Sequence, residues 1–111
     1  MATEPTPQVT RTAQVFFDRR EFTRILHLYG RMVAAGEWRD YAIDALPDAC
    51  VFSVFHHAAQ APAYRIEKRP ALARRQGAWA VIGEGGMVLK RAHELEQALT
   101  VFDSRKFRVV E

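Results

Sequence analysis

Along residues 15–55 (VFFDRREFTRILHLYGRMVAAGEWRDYAIDALPDACVFSVF) the spacing of apolar positions changes from helical to alternating, and the change falls at Gly36. Phe22, Ile25, Leu26, Tyr29, Met32 and Val33 recur at intervals of three and four, which predicts an amphipathic helix with one stripe facing a core. Asp18 stands where an N-cap belongs, with Glu21 three residues on as its capping-box partner. Phe17 and Phe22 have the spacing of a hydrophobic staple. Gly36 supplies the left-handed residue that ends such a helix cheaply.

Beyond Gly36, the segments Trp38–Leu46 and Ala49–Phe55 read as strands, and Pro47 and Asp48 between them are turn residues, so the pair predicts an antiparallel hairpin. Val51, Phe52, Val54 and Phe55 put bulky groups on both faces of the second strand. That pattern suits a central strand covered on each side or placed at an interface. Ala63–Lys68 predicts a third strand. Arg69–Gly77 reads as a basic loop, because Pro70 disfavours helix at Arg69. Trp79–Ile82 and Met87–Lys90 predict a second hairpin around Gly83, Glu84, Gly85 and Gly86. His93–Asp103 carries Leu95, Ala98, Leu99 and Phe102 at helical spacing, and Phe107–Val110 reads as a short edge strand.

The expected fold is therefore α+β: a single domain over residues 14–111, with a mostly antiparallel sheet of about five strands and two amphipathic helices packed on it. Phe22, Ile25, Leu26, Tyr29, Val51, Val54, Trp79, Leu95, Leu99 and Phe102 are expected to share its core. Residues 1–13 are polar, carry Pro5 and Pro7, and read as a disordered tail without the apolar block of a signal peptide.

Composition narrows the setting. At 111 residues and 49% hydrophobic content the chain can bury one core. No apolar run approaches membrane-spanning length, so no membrane is expected. The single cysteine, Cys50, rules out an internal disulfide and suits a reducing, cytoplasmic address.

The strings VFFDRREFTRILHLYGRMVAAGEWRDYAIDAL, VFSVF and YRIEKRPALARRQGAW resemble a family of small alphaproteobacterial proteins catalogued as a domain of unknown function, over about Gln14 to Phe102. The resemblance implies a bacterial cytosolic protein. It brings no activity, cofactor or catalytic residue.

Charge is uneven along the chain. Arg20, Arg24, His27 and Arg31 lie at spacings of four, three and four, so the outer stripe of the first helix is basic. The Arg65–Arg75 segment, with Lys68, Arg69, Arg74 and Arg75 against Glu67, carries +4. The first hairpin region, with Glu37, Asp40, Asp44 and Asp48 against Arg39, carries −3. The chain is thus bipolar within a net charge of +3. Arg20, Arg24, Arg31, Lys68, Arg69, Arg74 and Arg75 form the candidate partner-binding face, suited to an acidic protein surface or to self-association. RNA or DNA is the alternative partner, with Tyr64, Trp79 and Phe107 as stacking faces. Thirteen of the sixteen basic residues are arginine, which suits bidentate contacts and equally fits a GC-rich coding bias.

Candidates for catalysis are weaker. His56 and His57, read as adjacent strand residues, point to opposite faces and cannot chelate one metal together. Cys50 precedes an apolar run and reads as a small buried hydrophobe. Gly83, Gly85 and Gly86 join two strands rather than open a helix, so they form a turn and not a phosphate loop. Asp40 and Asp44 stand about 13 Å apart on an extended strand, too far for a glycosidase pair. His27 and His93 have no evident orienting partner. No catalytic residue, metal or cofactor is expected, and the sequence points to a non-catalytic interaction module ahead of a small enzyme without a recognisable constellation.

Overall fold

Asp18 caps the first helix as its sequence requires. Its carboxylate accepts the Glu21 N–H at 2.8 Å while the Glu21 carboxylate accepts the Asp18 N–H at 2.8 Å. The computed structural model describes residues 14–57 and 61–103; the tail assigned to residues 1–13 and the strand expected at Phe107–Val110 lie outside them. Helix α1 runs over Arg19–Ala34. The staple closes below the cap, with the Phe17 and Phe22 rings stacked at 6.5 Å. At the other end Gly36 adopts φ +81° and donates to Val33 O, while Glu37 N–H returns to Met32 O. These are the paired bonds of a Schellman motif.

Five strands follow: β1 (Asp40–Ala45), β2 (Cys50–Phe55), β3 (Tyr64–Lys68), β4 (Trp79–Gly83) and β5 (Val88–Ala92). Each pairs antiparallel with the next, giving a meander in the order β1-β2-β3-β4-β5 with β1 and β5 at its edges. Pro70–Leu72 forms a 3-10 turn between β3 and β4, and Glu84–Gly86 another between β4 and β5. A short helix α2 (Leu95–Ala98) runs directly into a 3-10 segment, Leu99–Asp103. The architecture is a single α+β domain of the expected kind.

Register decides what each face carries. Ile43, Phe52, Ile66 and Val81 lie side by side across four strands, as do Cys50, Lys68, Trp79 and Ala92. These positions face the helices, and Cys50, Phe52, Val54, Ile66, Trp79, Val81 and Ala92 join Phe17, Ile25, Leu28, Met32, Trp38, Ala98, Leu99 and Phe102 in one core, with Ile43 packed on its margin. The opposite face carries Asp44, Val51, Glu67, Ala80 and Arg91 in one row and Ala42, Ser53, Arg65, Ile82 and Val88 in the next.

Three expectations need correction. Val51 is half-buried on the opposite face and stands outside the core cluster, whereas Phe22, Leu26, Tyr29 and Leu95 pack on its margin. Leu28 and Trp38, both nearly inaccessible, replace it at the centre. Finally, the helix expected over His93–Asp103 is one α-turn followed by tighter 3-10 winding. Glu94 provides no side-chain cap, the Thr100 hydroxyl donates to Gln97 O at 2.6 Å, and Thr100 and Val101 are β-branched, which disfavours α-helix. Ala98, Leu99 and Phe102 are nonetheless buried.

Candidate interaction site

The basic residues singled out by sequence divide into engaged and available cations. On α1, Arg24 grips Glu96 through two bonds, Nε to Oε2 at 2.6 Å and Nη2 to Oε1 at 3.0 Å. The guanidinium holds the Glu96 carboxyl below its usual range. One turn before its end, α1 places Arg31 3.8 Å from Asp103. These pairs tie the helix to the C-terminal segment that packs beside it.

Lys68 at the end of β3 points toward the start of α1. Its Nζ lies 2.6 Å from Glu21 Oε1 and 3.1 Å from Phe16 O, with the Trp79 ring 5.8 Å away. Both members of the Lys68–Glu21 pair are about one-fifth exposed, so the ammonium serves the join between helix and sheet. Arg69 bridges Asp48 at 3.0 Å and Glu67 at 3.2 Å, fastening the first hairpin turn to the third strand. Arg91 adds a longer contact with Glu67 at 4.0 Å.

Arg20, Arg74 and Arg75 are different. Each is exposed and makes no ion pair among the described residues. Arg20 borders a cleft of about 330 Å³ with Asp18, Glu21, Arg24, Trp79, Glu94, Leu95 and Glu96, where acidic groups outnumber basic ones. Arg74 and Arg75 project from the β3–β4 loop. That loop is a built turn: Ala73 N–H donates to Pro70 O, Arg75 and Gly77 N–H both donate to Leu72 O, and His93 Nδ1 lies 3.1 Å from Ala73 O. Gly77 makes the exit possible at φ +109°, so close to β5 that a β-carbon there would stand 2.4 Å from Ala92 C and O. Two arginines are therefore carried on a backbone fixed by its own hydrogen bonds. The histidine contact was not expected from sequence.

The proposed stacking faces are occupied. Trp79 is buried and stacks on Phe17 at 6.0 Å. Tyr64 meets Phe102 edge-on at 5.1 Å and Trp38 at 6.4 Å, and burial pushes its phenol up, helped by Glu37 and Glu84. Phe107 lies outside the described residues.

His56 and His57 depart from their expected geometry. Strand β2 ends at Phe55, so both follow it in a bend and border one cleft of about 600 Å³ with Val33, Gly36, Trp38 and Arg39. His56 Nδ1 lies 2.5 Å from Glu37 O, which orients the ring. Trp38 Nε1 is buried without a hydrogen-bond partner among the described residues, a situation that costs about 1–3 kcal/mol. No three His, Cys, Asp or Glu residues come together to hold a metal ion among the described residues. Cys50 is fully buried, and burial pushes its thiol up, against weaker opposing effects of the Phe17 backbone and Lys68. Gly85 and Gly86, at φ +86° and +91°, turn the chain between β4 and β5 as their spacing requires. Asp40 and Asp44 share the outer face of β1, and Asp40 Oδ1 accepts its neighbour's Tyr41 N–H at 2.8 Å.

The sequence places Met87, Val88 and Leu89 in the second hairpin but does not mark them as an exposed apolar run. These residues are 68%, 48% and 44% exposed at the start of the edge strand β5. Their apolar character was legible, but only the sheet order puts them at an edge.

No helix among the described residues is long and apolar enough to cross a membrane. Residues 15–99 match the family described as "Protein of unknown function (DUF2794)", and the chain belongs to that family. No curated protein and no solved structure matches it.

Proposed function

We propose that the protein is a non-catalytic interaction module of the alphaproteobacterial cytoplasm that engages an acidic protein surface through its basic face, with Arg74 and Arg75 as the principal contacts. The observation that carries this reading is the division of the cations. Arg24, Arg31, Lys68 and Arg69 are held by carboxylates of the same chain, while Arg74 and Arg75 are exposed on an internally hydrogen-bonded turn and have no ion pair among the described residues. A guanidinium on a fixed backbone loses less freedom when it binds, and it suits bidentate carboxylate recognition. Buried Trp79 and half-buried Tyr64, each packed against another ring, leave less support for stacking of bases.

The test uses two defined probes, a polyglutamate peptide and a single-stranded oligoribonucleotide, on the intact protein. Replacing Arg74 and Arg75 with alanine should weaken peptide binding by slowing association, whereas Arg69→Ala should act mainly through stability. Binding of the RNA alone, with log affinity falling against log salt and the slope reduced by about 1.4 in the double variant, would move the assignment to nucleic acid. Peptide and RNA binding both unchanged in that variant would remove the loop from the proposal.

A further inference from the structure

The sheet has two edges, and they carry opposite charge. On β1 the exposed residues Asp40 and Asp44 stand on one face, between Glu37 and Asp48 in the chain. On β5 the exposed Lys90 and half-buried Arg91 follow the open apolar run Met87–Leu89. No described strand pairs with the outer side of either. Such edges present unpaired N–H and C=O groups and are sites for strand addition.

Hydrogen bonding identifies the outward groups. Leu46 N–H donates to Ala49 O, so with the observed register Asp40, Ala42 and Asp44 turn their peptide groups toward β2, while Tyr41, Ile43 and Ala45 turn theirs outward. Arg69 N–H donates to Ala78 O, which directs Trp79 and Val81 toward β5. Their partners Ala92 and Lys90 therefore point inward, and Arg91 points outward. Asp40 seals the Tyr41 N–H with its own carboxylate, which leaves Ile43 and Ala45 as the donors of β1.

We propose that the β5 edge receives the β1 edge of a second copy of this chain, continuing the sheet from one molecule into the next. Charge selects this pairing over the symmetric ones. Joining β1 to β1 opposes Asp40 and Asp44 to themselves, and joining β5 to β5 opposes Lys90 and Arg91 to themselves, each an unfavourable like-charge contact. Joining β5 to β1 brings Asp40 and Asp44 beside Lys90 or Arg91 and covers the exposed Val88 and Leu89 with the apolar residues of DYAIDA. The contact is heterologous, so assembly grows by addition rather than stopping at a closed dimer. The Asp40 seal, and the β-bulge recorded between Val81 and Ile82 where β5 pairs with β4, keep it weak and reversible. This inference uses residues other than Arg74 and Arg75 and stands or falls apart from the acidic-partner reading.

The experiment is sedimentation velocity and equilibrium ultracentrifugation of the full chain over a wide concentration range at low and high salt. The average mass should rise continuously with concentration at low salt and fall when salt is added. Lys90→Glu and Asp44→Lys should each weaken association by about tenfold or more, and the double variant carrying both, whose edges have exchanged sign, should recover it. Amide hydrogen exchange at Ile43, Ala45 and Arg91 should slow as wild-type protein is concentrated, while Arg74→Ala/Arg75→Ala leaves all of this unchanged. A protein that stays monomeric at every concentration, or that associates without protecting those three amides or without recovery in the double variant, overturns the proposal.

Discussion

Replacing Gly77 with alanine tests how the arginine-bearing loop is held, because Gly36→Ala provides a control with a related backbone. Both glycines have positive φ, +109° at Gly77 and +81° at Gly36, so a β-carbon at either meets a backbone penalty of about 1–2 kcal/mol. They differ in surroundings. A β-carbon at Gly36 has nothing within 4 Å, whereas one at Gly77 would lie 2.4 Å from Ala92 C and O and 2.8 Å from His93 N. Those atoms are backbone at the end of β5 and cannot swing aside like a side chain. Relief requires the loop and β5 to separate, which adds an overpacking cost of about 1–3 kcal/mol. Gly36→Ala should therefore lose about 1–2 kcal/mol and Gly77→Ala about 2–5 kcal/mol in urea unfolding, with unchanged m-values. At about 4–8 °C per kcal/mol for a domain of this size, the two melting temperatures should be well separated. Equal losses in the two variants would refute the close approach of Gly77 to β5, and with it the fixed backbone assigned to Arg74 and Arg75.

Leu28→Ala should cost about 2–5 kcal/mol because Leu28 is buried at the helix–sheet contact, while Val33→Ala, at a position 41% exposed, should stay within about 0.5 kcal/mol in the same unfolding assay. Asp18→Ala should cost about 1 kcal/mol through the lost cap, and Asp18→Asn should recover most of it. The Cys50 thiol should react slowly with an alkylating reagent at pH 8 in the native protein and rapidly in urea, because burial both excludes the reagent and raises the thiol above its ordinary 9.0; fast native labelling would contradict the packing. Glu96 titrates lower when folded, so its pairing with Arg24 supports the fold above the ordinary carboxylate value of 4.5 and that support fades as pH falls through the lowered one; Arg24→Ala should flatten this part of the acid stability curve.

The helix and both hairpins were legible because several local rules agreed. Asp18 and Glu21, Phe17 and Phe22, and Gly36 each act within a few residues of one another, so their geometry depends little on the rest of the chain. Leu28 was hidden because it lies between the stripe residues Leu26 and Tyr29. A helix packed deeply against a sheet uses a wider face than one stripe, and the width depends on how close the sheet comes. Val51 was misplaced for a related reason. A strand with large groups on both faces does not say which face the helices cover, and only the register of β1, β2 and β3 places Phe52 and Val54 under α1 and Val51 opposite.

The candidate site was harder to read because sequence gives the positions of charges but not their partners. Arg24 and Glu96 are seventy-two residues apart, and Lys68 and Glu21 forty-seven, so no local rule joins them. Once folded, both acquire structural roles: Arg24 ties α1 to the C-terminal segment, and Lys68 ties the same helix to β3. A run that reads as one basic face is thereby divided by the fold. Cations whose carbon stems cross an element junction find carboxylates there, while Arg74 and Arg75, placed on a short turn that projects beyond the sheet, have no junction to span. The same reasoning applies to the hydrophobic residues. Met87, Val88 and Leu89 look like core material, yet β5 ends the meander and no other described strand lies beside them on its outer side. Exposed charge and exposed apolar surface thus have one origin in this fold: each remains where the topology of the described residues supplies no partner.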